Sequence, residues 1–129
     1  MKTLINIDFD GVLIPNYFEE KLMETNMWTM TVNEYIKMIN TSPPAPLNVP
    51  LLEWFARRIN KFSIRLWTNR NFELRKKTLE NLGPFKSLFD SFHFYAGKKK
   101  YSKVEGIVID NNPKYLHCGE LGGLLYKLI

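Results

Sequence analysis

One cysteine and two histidines are all that 129 residues hold of the thiolate and imidazole metal ligands. Cys118 alone cannot close an intramolecular disulfide, and a single such residue reads as a small buried hydrophobe rather than a reactive thiol. His93 sits between Phe92 and Phe94 and His117 lies far along the chain, so zinc-ligand spacing is missing too. No apolar run approaches the roughly 20 residues of a membrane span, and Asn6, Asp8 and Asp10 interrupt the N-terminal one. The same stretch lacks the small-residue cleavage site of a secretory signal, which predicts a cytoplasmic protein with no membrane partner. Internal repeats and low-complexity tracts are also absent.

What is present suits a single domain over residues 1–129: 45% hydrophobic residues are ordinary for a soluble globular chain with one core. Charge is uneven. Residues 1–50 carry three Lys against six acids, whereas residues 51–129 carry fifteen Lys and Arg against seven, a local excess of +8. A basic surface draws anionic partners by long-range attraction and says nothing about fold.

Apolar, β-branched runs at residues 3–8 (TLINID), 63–67 (SIRLW), 92–96 (FHFYA) and 106–110 (GIVID) predict strands, with a fifth at 124–128. Between them, Asn48 can cap a helix from Pro50 whose buried stripe would be Leu51, Phe55 and Ile59. A second helix spans about 72–82 and stops at Gly83-Pro84, and a short one covers 113–121. Alternating strands and helices predict an α/β, Rossmann-like three-layer sandwich around a mostly parallel five-stranded sheet. Residues 14–47 break the rhythm and read as a small cap-like insertion after strand one. Inside it, Tyr17–Met27 can be helical, Thr31 and Glu34 form a capping box opening a helix through Ile39, and TSPPAP at 41–46 is a stiff extended return.

In parallel sheets ligands gather at the carboxyl ends of strands, near the point where strand order reverses. Strand one ends there in Asp8-Phe9-Asp10-Gly11, strand two in Thr68-Asn69-Arg70 and strand four in Asp110-Asn111-Asn112, while strand three runs into Gly97-Lys98-Lys99-Lys100. Carboxylates, a hydroxyl and lysines on one rim suit phosphoryl transfer. A carboxylate nucleophile splits one difficult hydrolysis into two easier steps through an acyl phosphate. Its attack on an anion needs a hard cation, and Mg²⁺, which takes a few carboxylates beside waters and phosphate oxygens, fits Asp8 and Asp110. Asp10 can protonate the leaving oxygen and then deprotonate water, for which burial or a neighbouring anion should raise its pKa. Gly11 leaves the backbone free to bring N–H groups to phosphate, Thr68 can donate a hydroxyl hydrogen bond, and a lysine supplies a point charge.

INIDFDGV resembles the first motif of the haloacid dehalogenase (HAD-like) superfamily, IRLWTN its second and GIVIDNN its acidic fourth. The resemblance implies that Asp8, Asp10, Thr68 and a lysine are catalytic. It also implies that the second aspartate of DxD marks a phosphatase rather than a dehalogenase, and that Asp8, Asp10, Asp110 and Asn111 form the Mg²⁺ site. Lys98, Lys99, Lys100 and Lys103 compete for the motif-three lysine. Lys100 has the spacing to Asp110 of the 5'(3')-deoxyribonucleotidase branch. Gly11, Asn69, Arg70, Lys98 and Lys99 are then substrate-binding residues, with helix capping the other reading of Asn69. The fourth motif departs from the family where a second acid is often found, since Asn111 and Asn112 stand there. The insertion resembles a reduced lid, which would leave the site open to a large substrate such as a nucleic-acid end or a protein. The basic second part and Lys100 suggest a nucleotide or a nucleic-acid phosphate end; Met27, Trp28, Met30 and Tyr35 either stack on a base or pack on the sheet.

Overall fold

A computed structural model describes residues 1–16, 31–94 and 100–128. Five strands, β1 (Thr3–Asp8), β2 (Phe62–Thr68), β3 (Phe89–Phe94), β4 (Ile107–Asp110) and β5 (Gly123–Leu125), form one sheet in the order β3-β2-β1-β4-β5. Every pairing is parallel. The chain builds outward from β1 through β2 to β3, then crosses back to β4 and β5 on the other side. Strand order therefore reverses between β1 and β4, and the crevice at that switch point opens at Asp8 and Asp110.

Alternation decides the faces. Ile5 and Ile7 of β1 are in register with Ile64 and Leu66 of β2 and with Ile107 and Ile109 of β4. These side chains join Leu52, Phe55 and Leu82 in one apolar cluster. Helix α1 (Val32–Thr41) precedes α2 (Val49–Ala56), which supplies Leu52 and Phe55; α3 (Arg75–Leu82) follows a 3₁₀ turn at Phe72–Leu74 and supplies Leu82. Asn48 caps α2 by accepting from Leu51 N at 3.3 Å, and its amide also donates to Val12 O at 3.0 Å and Tyr126 Oη at 2.9 Å. One side chain thus ties the start of α2 to the turn after β1. Among the described residues no helix is long and apolar enough to cross a membrane.

The opposite face carries a polar and aromatic layer. Asn6 is fully buried, donates to Glu105 O at 2.8 Å and Ile107 O at 3.3 Å, and accepts from Trp67 Nε1 at 2.9 Å. Trp67 in turn stacks on His93 with ring centroids 4.0 Å apart. Asn6→Leu fills the space but strands an indole N–H and two carbonyls, each of which costs roughly 1–3 kcal/mol when buried unpaired. Urea denaturation should show a loss of at least about 3 kcal/mol with an unchanged slope.

Local differences from the sequence expectations have identifiable causes. Strand β3 begins at Phe89, because a 3₁₀ stretch at Gly83–Leu88 absorbs the residues after α3. Strand β5 stops at Leu125. The buried stripe of α2 is Leu52 and Phe55, while Ile59 lies beyond the C-cap Arg57 and is 46% exposed. The segment after β4 is a 3₁₀ turn, Pro113–Cys118. Thr31 caps the helix as expected, its Oγ1 accepting from Glu34 N at 3.2 Å, and its hydroxyl donates to Glu34 Oε1 at 3.1 Å. The expected helix at Tyr17–Met27 lies outside the described residues.

Candidate active site

Strand register brings the two key carboxylates together. Because Ile7 pairs with Ile109, the next residues of each strand, Asp8 and Asp110, stand side by side at the sheet's carboxyl edge. Lys100 Nζ lies 2.7 Å from Asp8 Oδ1 and 3.2 Å from Asp110 Oδ2. Asn111 closes the other side: with its amide assigned so that NH₂ faces the carboxylates, it donates to Asp8 Oδ2 at 2.9 Å and Asp110 Oδ1 at 3.0 Å. Asp8, Asp110 and Lys100 are all buried.

Burial dominates the electrostatics. It pushes the Asp8 carboxyl up to about 7; Lys100 opposes that shift and Asp110 adds to it. For Lys100, burial alone would favour the neutral amine, but Asp8 and Asp110 outweigh it and hold its pKa above the ordinary lysine value. Tyr101, fully buried beneath the cluster, is raised by burial and by the same two carboxylates, so its hydroxyl stays neutral.

Asp10 has a different neighbour from the one anticipated. A cation, not an anion, faces it: Arg70 Nε donates to Oδ2 at 3.1 Å and Nη2 to Oδ1 at 3.0 Å. Asp8 is the carboxylate that burial raises. The side chain of Asp10 directs both oxygens to Arg70, which leaves Asp8 and Asp110, with Asn111 beside them, as the donors a hard cation could use. Asp110 Oδ2 is buried without a well-oriented hydrogen-bond donor, and among the described residues no cluster of three or more His, Cys, Asp or Glu side chains forms a metal cage. Two carboxylates at adjacent strand ends match the sparse protein ligation of Mg²⁺ rather than an all-protein cage.

Thr68 is fully buried and its Oγ1 accepts from Arg70 N at 3.1 Å, fixing the turn after β2. Gly11 does something other than present its N–H to a ligand, because that group donates to Ile14 O at 2.8 Å. Its φ is +89°, and a Cβ there would meet the Asn111 side-chain amide at 2.3 Å. Glycine is needed at position 11 so that Asn111 can reach Asp8. Of the competing lysines, Lys100 reaches the carboxylates and Lys103 lines a separate surface hollow, while Lys98 and Lys99 lie outside the described residues.

Asp8, Asp10, Arg70, Lys100, Asp110 and Asn111 line a hollow of about 460 Å³ with Asn69 exposed at its rim, whereas Thr68 lies buried behind it and is not among the lining residues. The sequence reading did not single out Asn16, Lys114 or Tyr115, which also line it. A usable signal existed for the last two: they follow Asp110 within one 3₁₀ turn and must stay at the same rim. Tyr35 of α1 lines it as well, so the insertion reaches the site. Burial and the nearby Asp10 push the Tyr35 phenol up to about 12, with Arg70 opposing. A larger hollow, about 640 Å³, lies between α2 and the β4–β5 side and is walled by apolar residues such as Pro50, Trp54 and Leu124. It holds none of the carboxylates or cations described above.

The strand order and layering define an α/β, Rossmann-like fold that other solved structures share. Two solved structures carry the likeness. Fcp1, described as an essential RNA polymerase II CTD phosphatase, superposes with a TM-score of 0.54 at 11% identity over 98% of this chain and 42% of that one. The HAD domain of the effector protein Lem4 from Legionella pneumophila gives 0.50 at 13% identity over 98% of this chain and 86% of that one. At these identities the likeness establishes the fold, and this chain spans less than half the length of the Fcp1 chain. No protein-family model and no curated protein matches the sequence.

Proposed function

We propose that this chain is a Mg²⁺-dependent phosphomonoester hydrolase working through an aspartyl-phosphate on Asp8. The observation that carries the reading is the buried Asp8–Lys100–Asp110 cluster at the sheet's switch point, opening into a polar hollow with Asp10. An Asp8 oxygen attacks phosphorus while the ester P–O bond breaks, and Asp10 gives its proton to the leaving oxygen. Asp10 then takes a proton from water, whose oxygen attacks phosphorus and releases phosphate and the Asp8 carboxylate. Lys100 holds Asp8 in place and offsets its charge, and the Thr68 hydroxyl hydrogen is available to a phosphoryl oxygen. Mg²⁺ held by Asp8 and Asp110, beside Asn111, would offset anion–anion repulsion, about 4 kcal/mol per pair of unit charges 4 Å apart at an effective dielectric near 20.

A nucleotide or a nucleic-acid phosphate end is the substrate we propose, on the +8 excess of residues 51–129 and the deoxyribonucleotidase-like spacing of Lys100. Asn69, Lys98 and Lys99 are proposed substrate contacts, residues 14–47 a reduced cap on a single domain, and the cytoplasm the place of action. The test is phosphate release from 5' and 3' nucleotides, 3'-phosphorylated oligonucleotides, sugar phosphates and phosphopeptides, with Mg²⁺ or with EDTA. The expected outcome is Mg²⁺-dependent release, fastest from a nucleotide or oligonucleotide end. Release fastest from a sugar phosphate or a phosphopeptide would move the substrate class while keeping the chemistry. No release from any of them would leave a phosphate-binding protein that lacks turnover.

A further inference from the structure

Arg70 is the most thoroughly anchored side chain of the site, and nothing in the chemistry above uses it. It is 6% exposed. Its Nε and Nη2 fork onto both oxygens of Asp10 at 3.1 and 3.0 Å, and Nη1 donates to Oγ1 of the fully buried Thr78 on α3 at 3.1 Å. The guanidinium lies 4.7 Å over the Phe9 ring, and the Arg70 backbone N–H is held by Thr68. The plane of the fork is therefore fixed by the turn after β1, by the turn after β2 and by α3 together. An arginine buried this deeply must give up its hydration, and a buried ion pair is weak evidence of a contribution to stability. A role in geometry accounts better for three anchors on one guanidinium.

A carboxylate offers about four lone-pair sites, of which a bidentate fork takes two. The Asp10 side chain remains 21% exposed and borders the same hollow as Asp8. We propose that Arg70 is a positioning residue. Its fork fixes the rotation of the Asp10 carboxyl so that a proton carried at one of the remaining lone-pair positions points at the leaving oxygen of a phosphate ester attacked by Asp8. The planar fork is what matters: a point charge at the same place would pair with Asp10 without fixing its plane. The inference rests on the phosphatase reading above and adds the residue that makes Asp10 effective.

The test compares kcat/KM for two esters, because this ratio reports the step in which the leaving group departs. p-Nitrophenyl phosphate releases a phenolate that needs little protonation, whereas a nucleoside 5'-monophosphate releases an alkoxide that needs a proton. Arg70→Lys should lower kcat/KM for the alkyl ester by about 100-fold, within the range of a positioned general acid, and for the aryl ester by less than about 5-fold. Thr78→Val, which keeps the fork and removes its anchor on α3, should show the same bias at a smaller size and decides the matter if Arg70→Lys does not fold. Equal losses on the two esters, or full activity in Arg70→Lys, would overturn the positioning role while leaving the phosphatase reading intact. Wild-type protein that cleaves neither ester would overturn both.

Discussion

Asp8→Asn is expected to remove turnover and, at the same time, to make the metal-free protein harder to melt at pH 8. The first effect follows from chemistry: without its nucleophile the site keeps only binding and electrostatics, a loss on the order of 10⁴-fold or more in kcat. The second follows from burial. Asp8 is 5% exposed, and its carboxyl is pushed from the model-compound value of 3.8 to about 7, chiefly by desolvation. A folded-state pKa above the unfolded one means that the native protein binds this proton more tightly. The stabilisation is fully present below about pH 3.8 and is lost as pH rises through about 7. A shift of this size corresponds to on the order of 4 kcal/mol. Asn carries no charge and escapes that loss. Thermal melts in EDTA should therefore place Asp8→Asn above wild type by on the order of 10–20 °C at pH 8, with the gap closing toward pH 5. A wild type that melts higher at pH 8 would mean that Lys100 more than offsets the cost of burying Asp8.

Lys100→Met is expected to act in the opposite direction. The thioether keeps most of the stem volume between Tyr101 and Tyr115, whose rings each lie 5.1 Å from Nζ, but it leaves Asp8 and Asp110 without their shared cation. Removing one partner of a buried ion pair costs roughly 3–5 kcal/mol, because the remaining charge has neither water nor a counter-ion. Urea denaturation at pH 8 in EDTA should show a loss of that size. The loss should shrink toward pH 5, as Asp8 takes up a proton. Turnover should fall as well, since the nucleophile loses the group that holds it. A variant as stable as wild type at pH 8 would show that Asn111 and water satisfy both carboxylates on their own.

The two substitutions are expected to give opposite stability changes from a single cluster. A buried carboxylate that lowers stability, kept in place by a buried lysine, is what a site selected for reactivity rather than for stability should look like.

How far the sequence alone leads to this cluster depends on the kind of contact. Alternation in TLINID and GIVID marked two strands, and because parallel strands present their carboxyl ends together, Asp8 and Asp110 could be placed side by side. Lys100 was reachable through its spacing to Asp110, although among four lysines only resemblance favoured it. The Arg70 fork on Asp10 was not legible. It joins residues 60 positions apart through side-chain geometry that no periodicity encodes. Gly11 shows a subtler limit, since its type was informative but its cause was not: the missing Cβ makes room for Asn111. Of the expected helix stripe, Phe55 is buried and Leu51 packs partly buried against the core, with Leu52 beside it more deeply buried; Ile59 falls outside because the chain leaves the helix first.

The central claim, a covalent phosphoryl group on Asp8, is open to one direct measurement. Protein turning over the best substrate with Mg²⁺ is quenched into borohydride, which reduces an acyl phosphate to the alcohol, and the peptide bearing residue 8 is read by mass spectrometry. The account predicts homoserine in place of Asp8, formed only when substrate and Mg²⁺ are both present. Phosphate release with Asp8 unmodified, or with the reduced residue at Asp10, would contradict it.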